Sequence, residues 1–280
     1  MLGYEMRLNS FATSVWTSLG LMLAGSSVMA QQNVGQGLEI VGQPINGAMG
    51  FQPSATELSR DVVWLDSMLL VIITVITLFV TGLLAWCIIR YNARRNPNPA
   101  TFTHNSPLEI AWTVVPIVIL VFIGAFSLPV LFKQQEIPEA DITIKVTGFQ
   151  WYWGYEYIDE GVSFESFMLE RDELEQFGYE QEHYLLATDT AVIVPIGATV
   201  VMQVTAADVI HSWTIPAFGV KQDAIPGRLA QLWFAAEREG VYFGQCSELC
   251  GQAHAYMPIT VKVVSQEAYD AWLAEEQGLS

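Results

Sequence analysis

The sequence is poor in cysteine, histidine and positive charge. Its 280 residues include 3 cysteines, 4 histidines and 12 lysines or arginines, against 29 aspartates and glutamates. Three cysteines are too few for a framework of disulfides. The formal net charge of −17 disfavours binding to nucleic acid and to anionic lipid, and it favours a partner with a basic surface.

The negative charge is concentrated in the second part of the chain. From Lys133 to the end there are 23 acidic and 7 basic residues, whereas the first 132 residues carry 6 and 5. The chain is nevertheless 52% hydrophobic, and its long apolar runs precede Lys133. The two properties therefore predict an apolar, membrane-associated part followed by an acidic domain in water.

Residues 1–30 have the pattern of a secretory signal peptide. Arg7 is followed by an apolar stretch that ends in small residues at Ala30, which resembles an A-x-A cleavage site. The alternative is a third membrane anchor, but the stretch is short and is interrupted by polar residues and glycines. We predict a signal peptide over 1–30 and an extramembrane segment over 31–60.

Two uncharged runs, Met68–Ile89 and Ile110–Phe132, are long enough to cross a membrane as helices. At about 1.5 Å per residue, the shorter run spans roughly 33 Å. Between them lies the basic loop Arg90–Pro99, which the positive-inside rule places in the cytoplasm. We predict a transmembrane helical hairpin over 61–133 in a bacterial inner membrane, with both chain termini and the acidic domain in the periplasm.

From Asp141 onward, apolar and polar residues alternate with a period of two, which is typical of half-buried strands. Many short strands separated by Gly, Pro and Asp indicate a β-sandwich or barrel. A closing helix is predicted over Gln266–Glu276, with Ser265 as its N-cap. The acidic stretch 156–182 is interpreted as an exposed loop region. The alternating segments are Ile142–Thr147, Ala191–Ile196, Thr199–Thr205, Leu229–Phe234 and Pro258–Val264.

Two thiols, an imidazole and a thioether fall within twelve residues, at Cys246, Cys250, His254 and Met257. A further imidazole, His211, lies upstream. Soft sulfur and imidazole donors suit copper or zinc, but a blue copper site uses only one cysteine. Two thiolates allow both sulfurs to bridge two copper ions, each with one imidazole. The thioether and one loop carbonyl would then be weak ligands divided between the two ions.

Two other interpretations of the same residues remain open. Zinc accepts two cysteines and two histidines. A disulfide between the two cysteines is sterically possible in an oxidising compartment, although it would leave His254 and Met257 without a role. The remaining histidines, His104 and His183, are interpreted as ordinary loop residues.

The segment Gly244–Pro258 resembles the CuA loop of the cytochrome c oxidase subunit II family. The stretches Phe149–Trp153, Asp208–Pro216 and Lys221–Arg228 carry the same resemblance, which covers essentially everything after residue 30. It implies a membrane-anchored α+β fold, with a cupredoxin-like Greek-key β-sandwich over 134–280. Many relatives have histidine where this chain has phenylalanine at position 149, so hydrogen bonding there is expected to differ.

The resemblance also implies roles for particular residues. The Glu248 carboxylate would reach a magnesium ion shared with subunit I, and Trp151 would accept electrons from cytochrome c. Glu109 would mark the entrance of a proton path into subunit I. The implied ligands of the two copper ions are the side chains of His211, Cys246, Cys250, His254 and Met257, with the backbone carbonyl of Glu248.

The implied function is transfer of electrons from cytochrome c, by way of copper, to a haem in subunit I. Oxygen is reduced to water there, coupled to proton pumping, and subunit III is a further implied partner. The chain lacks Cys-x-x-Cys-His, so we expect no haem in it. A quinol-oxidase subunit would lack the copper ligands. A nitrous-oxide-reducing enzyme would need many more histidines, and a copper carrier would not need an acidic docking face.

Overall fold

The computed structural model describes Val34 and residues 37–278. The predicted signal peptide, residues 1–30, lies outside this range. The described chain forms two compact units. One spans Arg60–Glu136, and the other combines the described residues on either side of it.

Two long helices make up most of the first unit. Helix α1 spans Glu57–Arg90 and helix α2 spans Ser106–Gln135, and both are long and apolar enough to cross a membrane. The start of α1 and the end of α2 are joined by an ion pair of 2.7 Å between Asp61 and Lys133. The predicted pair of apolar helices is therefore confirmed. They extend slightly beyond the predicted limits of 61–133.

The second unit contains eleven strands among the described residues. Three strand pairs are parallel, namely β1 (Ile40–Gly42) with β10 (Gly240–Gln245), β11 (Pro258–Val264) with β5 (Val192–Pro195), and β2 (Ile142–Phe149) with β6 (Thr199–Ala206). The other pairs are antiparallel. One sheet has the order β1 (Ile40–Gly42), β10 (Gly240–Gln245), β11 (Pro258–Val264) and β5 (Val192–Pro195). The other has the order β4 (Val162–Ser166), β3 (Tyr152–Tyr157), β2 (Ile142–Phe149), β6 (Thr199–Ala206) and β9 (Ala230–Ala235). Strands β7 (His211–Ile215) and β8 (Val220–Ala224) form a separate hairpin.

The two larger sheets share one apolar core. Strand β2 alternates strictly between buried and half-buried residues, because successive side chains of a strand point to opposite faces. Trp153 from one sheet and Tyr242 from the other are both fully buried in this core. The predicted β-sandwich is confirmed.

Helix α3 spans Gln266–Glu276, which are the predicted limits. The Ser265 hydroxyl accepts a hydrogen bond from the Ala268 N–H at 3.3 Å and so satisfies one free donor of the first turn. Trp272 is fully buried, with its ring centroid 5.1 Å from that of Tyr157. The helix therefore closes one side of the sandwich core.

We expect Trp272→Ala to lower the free energy of unfolding by about 3–5 kcal/mol, because it leaves a large cavity under α3. Thermal or denaturant unfolding of the β-sheet, followed by circular dichroism, measures this change. Ser265→Ala is the comparison variant, since loss of a helix cap costs only about 1 kcal/mol. Equal effects of the two variants would contradict the docking of α3 through its tryptophan.

Residues 37–59 pack along the β unit. Strand β1 pairs in parallel with β10. The Ala55 N–H donates to the Ala217 carbonyl at 2.9 Å, and the Ala55 carbonyl accepts from the Glu237 N–H at 2.9 Å. Leu58 is 2% exposed. The predicted extramembrane segment is thus partly built into the sandwich. The segment is polar and β1 has only three residues, so the sequence shows no alternation that would predict the pairing of β1 with β10.

The interpretation of residues 156–182 as an exposed loop region is wrong in part. The stretch contains strand β4, and Leu169, Leu174 and Tyr179 are buried in a second apolar cluster. Most of the carboxylates remain on the surface while the apolar side chains between them turn inward. Because charged residues dominate this stretch, its composition alone does not predict that these apolar side chains are buried.

Candidate metal centre

The sulfur and imidazole donors lie at the ends of neighbouring strands. His211 is the first residue of β7, and Cys246 directly follows β10. Cys250 lies in the loop before a short 3₁₀ turn, His254–Tyr256, and Met257 lies between that turn and β11. Strand pairing therefore fixes both ends of the loop that carries four of the five side chains.

Two thiols and two imidazoles form a row. Cys246 Sγ lies 3.9 Å from His211 Nδ1 and 3.8 Å from Cys250 Sγ. Cys250 Sγ lies 3.5 Å from His254 Nδ1. Each imidazole thus flanks a different sulfur. Both thiols are free and buried, so the structure does not contain the alternative disulfide.

Two weaker donors lie beside the same sulfurs. Met257 Sδ is 3.5 Å from Cys250 Sγ, and the backbone oxygen of Glu248 is 3.3 Å from Cys246 Sγ. Met257 is 1% exposed, whereas Glu248 is exposed. The structure therefore brings together all six donors predicted from the sequence, with one weak donor beside each sulfur.

Asp208 orients the His211 ring, and this role of Asp208 is not predicted from the sequence. His211 Nε2 lies 2.9 Å from Asp208 Oδ1, and the Gln150 N–H donates to Asp208 Oδ2 at 2.7 Å. A carboxylate on one ring nitrogen leaves the other nitrogen free to bind a metal. The one signal in the sequence is that Asp208 stands three residues before His211.

Trp151 contacts the backbone of residues 246–257, the loop that carries four of the candidate ligands and is called the metal loop below. Its indole N–H donates to the Cys250 carbonyl at 3.2 Å, and the Gln150 side-chain amide donates to the same oxygen at 2.9 Å. Trp151 is half-buried, whereas Trp153 is fully buried. Packing in the core therefore accounts for Trp153, while Trp151 reaches from the surface to the metal loop.

The two thiols differ in acidity. Burial raises the pKa of Cys246, but hydrogen bonds with His211 and with backbone groups outweigh this and lower it to about 7. Burial and the negative charge of Cys246 raise the pKa of Cys250 to about 12. Of the two thiols, Cys246 therefore loses its proton more readily, and a metal must displace the proton of Cys250.

Glu109 lies in the first turn of α2, where it has a structural role. Its carboxylate accepts a hydrogen bond from the Asn105 N–H at 3.0 Å, and the Asn105 side chain accepts one from the Leu108 N–H at 3.3 Å. This reciprocal arrangement is a variant of the capping box. Helix initiation thus gives Glu109 a function that does not depend on a proton path.

The fold and the site define a class of protein. A pair of apolar helices is joined to a β-sandwich that holds two buried thiols, two imidazoles and a thioether close together. This donor set suits a soft transition metal. The molecule therefore combines two helices able to cross a membrane with a candidate metal centre in its β domain.

Comparison with known proteins identifies the family. The models of the cytochrome c oxidase subunit II transmembrane and periplasmic domains match residues 44–130 and 142–264. Cytochrome c oxidase subunit 2 of Cereibacter sphaeroides is 61% identical, over 98% of this chain and 94% of that protein. The probable subunit 2 of Rickettsia bellii is 43% identical, over 95% and 94%.

A solved structure is also similar. The periplasmic domain of subunit II of cytochrome oxidase from Bradyrhizobium japonicum is 45% identical, with a TM-score of 0.46, over 51% of this chain and 98% of that chain. On the full-length relatives and the family models, this chain belongs to the cytochrome c oxidase subunit II family. The resemblance drawn from the copper loop is thereby confirmed, and the chain is a subunit of an oxidoreductase complex.

Proposed function

We propose that this chain accepts electrons from cytochrome c at a dinuclear copper centre and passes them to a haem in subunit I. The observation that carries the proposal is the row His211–Cys246–Cys250–His254, in which one imidazole lies beside each of two adjacent sulfurs. The two cysteines and two histidines would hold two copper ions, with one imidazole available for each ion. A blue copper ion would leave one of the two sulfurs unused, and a zinc ion bound by both cysteines and both histidines would leave Met257 and the Glu248 carbonyl without a role.

The residues present fit copper in number and in chemical type. Bound copper supplies a carrier that takes up and releases one electron at a time. The protein contributes a buried pocket, ligands fixed by strand pairing, and an imidazole oriented by Asp208. The proposed ligands are His211, Cys246, Cys250, His254 and Met257 through their side chains and Glu248 through its backbone carbonyl.

Trp151 is proposed as the residue that receives electrons from cytochrome c. Its ring is half-buried, and its N–H binds the carbonyl of the proposed ligand Cys250. The side chain therefore connects the protein surface with the metal loop. A donor docked over this ring would be separated from the proposed centre by one residue.

Further roles are proposed from the family resemblance and the charge pattern. The exposed Glu248 carboxylate would bind magnesium shared with subunit I, and Glu109 would stand at the entrance of a proton path coupled to pumping. Subunits I and III would be its partners in the complex. The arginines of the loop Arg90–Pro99 favour a cytoplasmic loop, with a cleaved signal peptide and a periplasmic sandwich in a bacterial inner membrane.

The acidic surface predicts strong dependence on salt. We expect kcat/KM for a basic cytochrome c to fall by about 10–1000-fold between low and high ionic strength, because salt screens electrostatic steering. Oxygen consumption by the purified oxidase measures this rate. A small uncharged reductant is the control and should show little change. Salt-independent oxidation would contradict the docking surface, and no cytochrome c oxidation at any salt would refute the proposed function.

A further inference from the structure

A small cavity lies between residues 37–59, called the N-terminal segment here, and the strands that lead to the metal centre. Gln52 lines it from the N-terminal segment, and Thr214 lines it from strand β7. Ser247, which directly follows the proposed ligand Cys246, lines it from the metal loop. The cavity therefore borders both the N-terminal segment and the start of the metal loop.

The size of the cavity limits what it can hold. Its volume is about 100 Å³. A single buried water needs a cavity of about 10–15 Å³, whereas sites for drug-sized ligands have about 300–1,000 Å³. The cavity therefore has room for a few water molecules and is too small for a larger ligand.

Two buried oxygen atoms of the lining residues are unpaired. Among the residues that the structure describes, none forms a hydrogen bond with Gln52 Oε1 or with Thr214 Oγ1. An unpaired buried polar atom destabilises the folded state, and buried waters typically bind such atoms. An apolar occupant would leave both oxygens unpaired, so the lining favours a small molecule that donates hydrogen bonds.

We propose that ordered water fills this cavity and bridges Gln52 on the N-terminal segment to Thr214 on β7. The bridge holds the N-terminal segment against the start of the metal loop, since water-mediated hydrogen bonds are nearly as favourable as direct ones. The inference rests on the proposed function for the role of the bridge, which is to keep two copper ligands in place. It goes beyond that function by assigning a water site and two residues that hold it.

The bridge acts on a strand that is tied to two proposed copper ligands. Thr214 lies three residues after His211 on β7. The Ser247 N–H, next to Cys246, donates to the Ser212 carbonyl of the same strand at 3.0 Å. A displacement of β7 at Thr214 therefore reaches the donors His211 and Cys246, which makes Thr214 a positioning residue for the metal centre.

The direct test is a structure of the assembled oxidase at a resolution that shows ordered water. We expect water oxygens within about 2.7–3.2 Å of Gln52 Oε1 and Thr214 Oγ1. A dry cavity, or one filled by a detergent molecule or by a side chain of another subunit, would overturn the inference. This outcome does not depend on the presence of copper.

The role of the bridge is tested by the rate at which a chelator removes copper from the assembled oxidase. We expect Thr214→Val, which removes the hydroxyl but keeps the shape, to lose copper about two- to tenfold faster, because one hydrogen bond contributes about this factor. Gln52→Leu should have the same effect. Since both variants break one bridge, the double variant should lose copper no faster than either single variant. Thr143→Val is the matched control, since Thr143 is half-buried on β2 and does not line the cavity.

The conservative variant Thr214→Ser separates a water bridge from simple packing. It keeps the hydroxyl and loses the methyl group, so we expect copper loss at the wild-type rate. Faster loss from Thr214→Ser and not from Thr214→Val would assign Thr214 to packing and overturn the inference. Multiplied effects of Thr214→Val and Gln52→Leu in the double variant would show that the two oxygens act independently, which would also overturn it. A wild-type chain that takes up no copper would overturn the proposed function, whereas waters bound to both oxygens would still support the bridge.

Discussion

We expect Cys250→Ser to abolish the proposed dinuclear copper centre and to lower cytochrome c oxidation by more than about a hundredfold. The Cys250 sulfur lies 3.8 Å from Cys246 Sγ and 3.5 Å from both His254 Nδ1 and Met257 Sδ. It therefore has three other donors beside it, as Cys246 Sγ also does. Serine offers a hard oxygen in place of a soft thiolate, so copper binds it poorly. Even the loss of a residue that only hydrogen-bonds to a metal ligand lowers metal affinity or activity by about 10–100-fold.

Ser247→Ala is the matched control in the same loop. Ser247 is exposed, and its hydroxyl donates to the Gln245 carbonyl at 3.1 Å. We expect this variant to keep the wild-type copper content and rate of oxygen consumption. Two copper ions per chain together with full activity in Cys250→Ser would contradict the proposed role of Cys250 as a copper ligand.

We expect Trp151→Leu to lower kcat/KM for cytochrome c by about thirtyfold or more, with the copper content unchanged. A tryptophan that acts as a hot spot of an interface contributes about 2 kcal/mol or more to the free energy of binding. This free energy corresponds to about a thirtyfold change in affinity. The leucine also removes the aromatic link from the surface to the Cys250 carbonyl. Stopped-flow oxidation of reduced cytochrome c measures the effect.

Gln150→Leu separates the role of the ring from that of its hydrogen bond. Gln150 donates to the same carbonyl as Trp151, at 2.9 Å, so this variant perturbs the carbonyl but keeps the indole. We expect a rate within a few-fold of the wild type. A loss equal to that of Trp151→Leu would assign the effect to the hydrogen bonds on Cys250, and full activity of Trp151→Leu would remove Trp151 from the electron path.

The sequence predicts the strands in which apolar and polar residues alternate regularly, the helix that has a capping residue, and the metal donors that lie close together in the chain. Strand β2 alternates along its whole length, and α3 begins after a serine that caps it. Strand β10 was missed because all of its residues except the last are buried, which removes the alternation on which the prediction depends. The metal donors were found because four of them lie within one short segment.

The contacts around the donors could not be predicted because they depend on packing between distant segments. Gln150 and Asp208 are 58 residues apart, and their hydrogen bond joins the end of β2 to the loop before β7. His183, interpreted as an ordinary loop residue, is 3% exposed. Its Nε2 lies 3.1 Å from Gln43 Oε1, although the two residues are 140 positions apart in the sequence. Neither pairing leaves a local pattern in the sequence.

The most direct test of the dinuclear centre is electron paramagnetic resonance of the copper-loaded oxidase, together with its copper content per chain. An unpaired electron shared equally by two copper nuclei gives seven hyperfine lines, whereas a single copper nucleus gives four. The adjacent sulfurs of Cys246 and Cys250, each beside its own imidazole, predict the seven-line spectrum and two copper ions bound by this chain. A four-line blue-copper spectrum, or a site that takes up only zinc, would contradict the proposal.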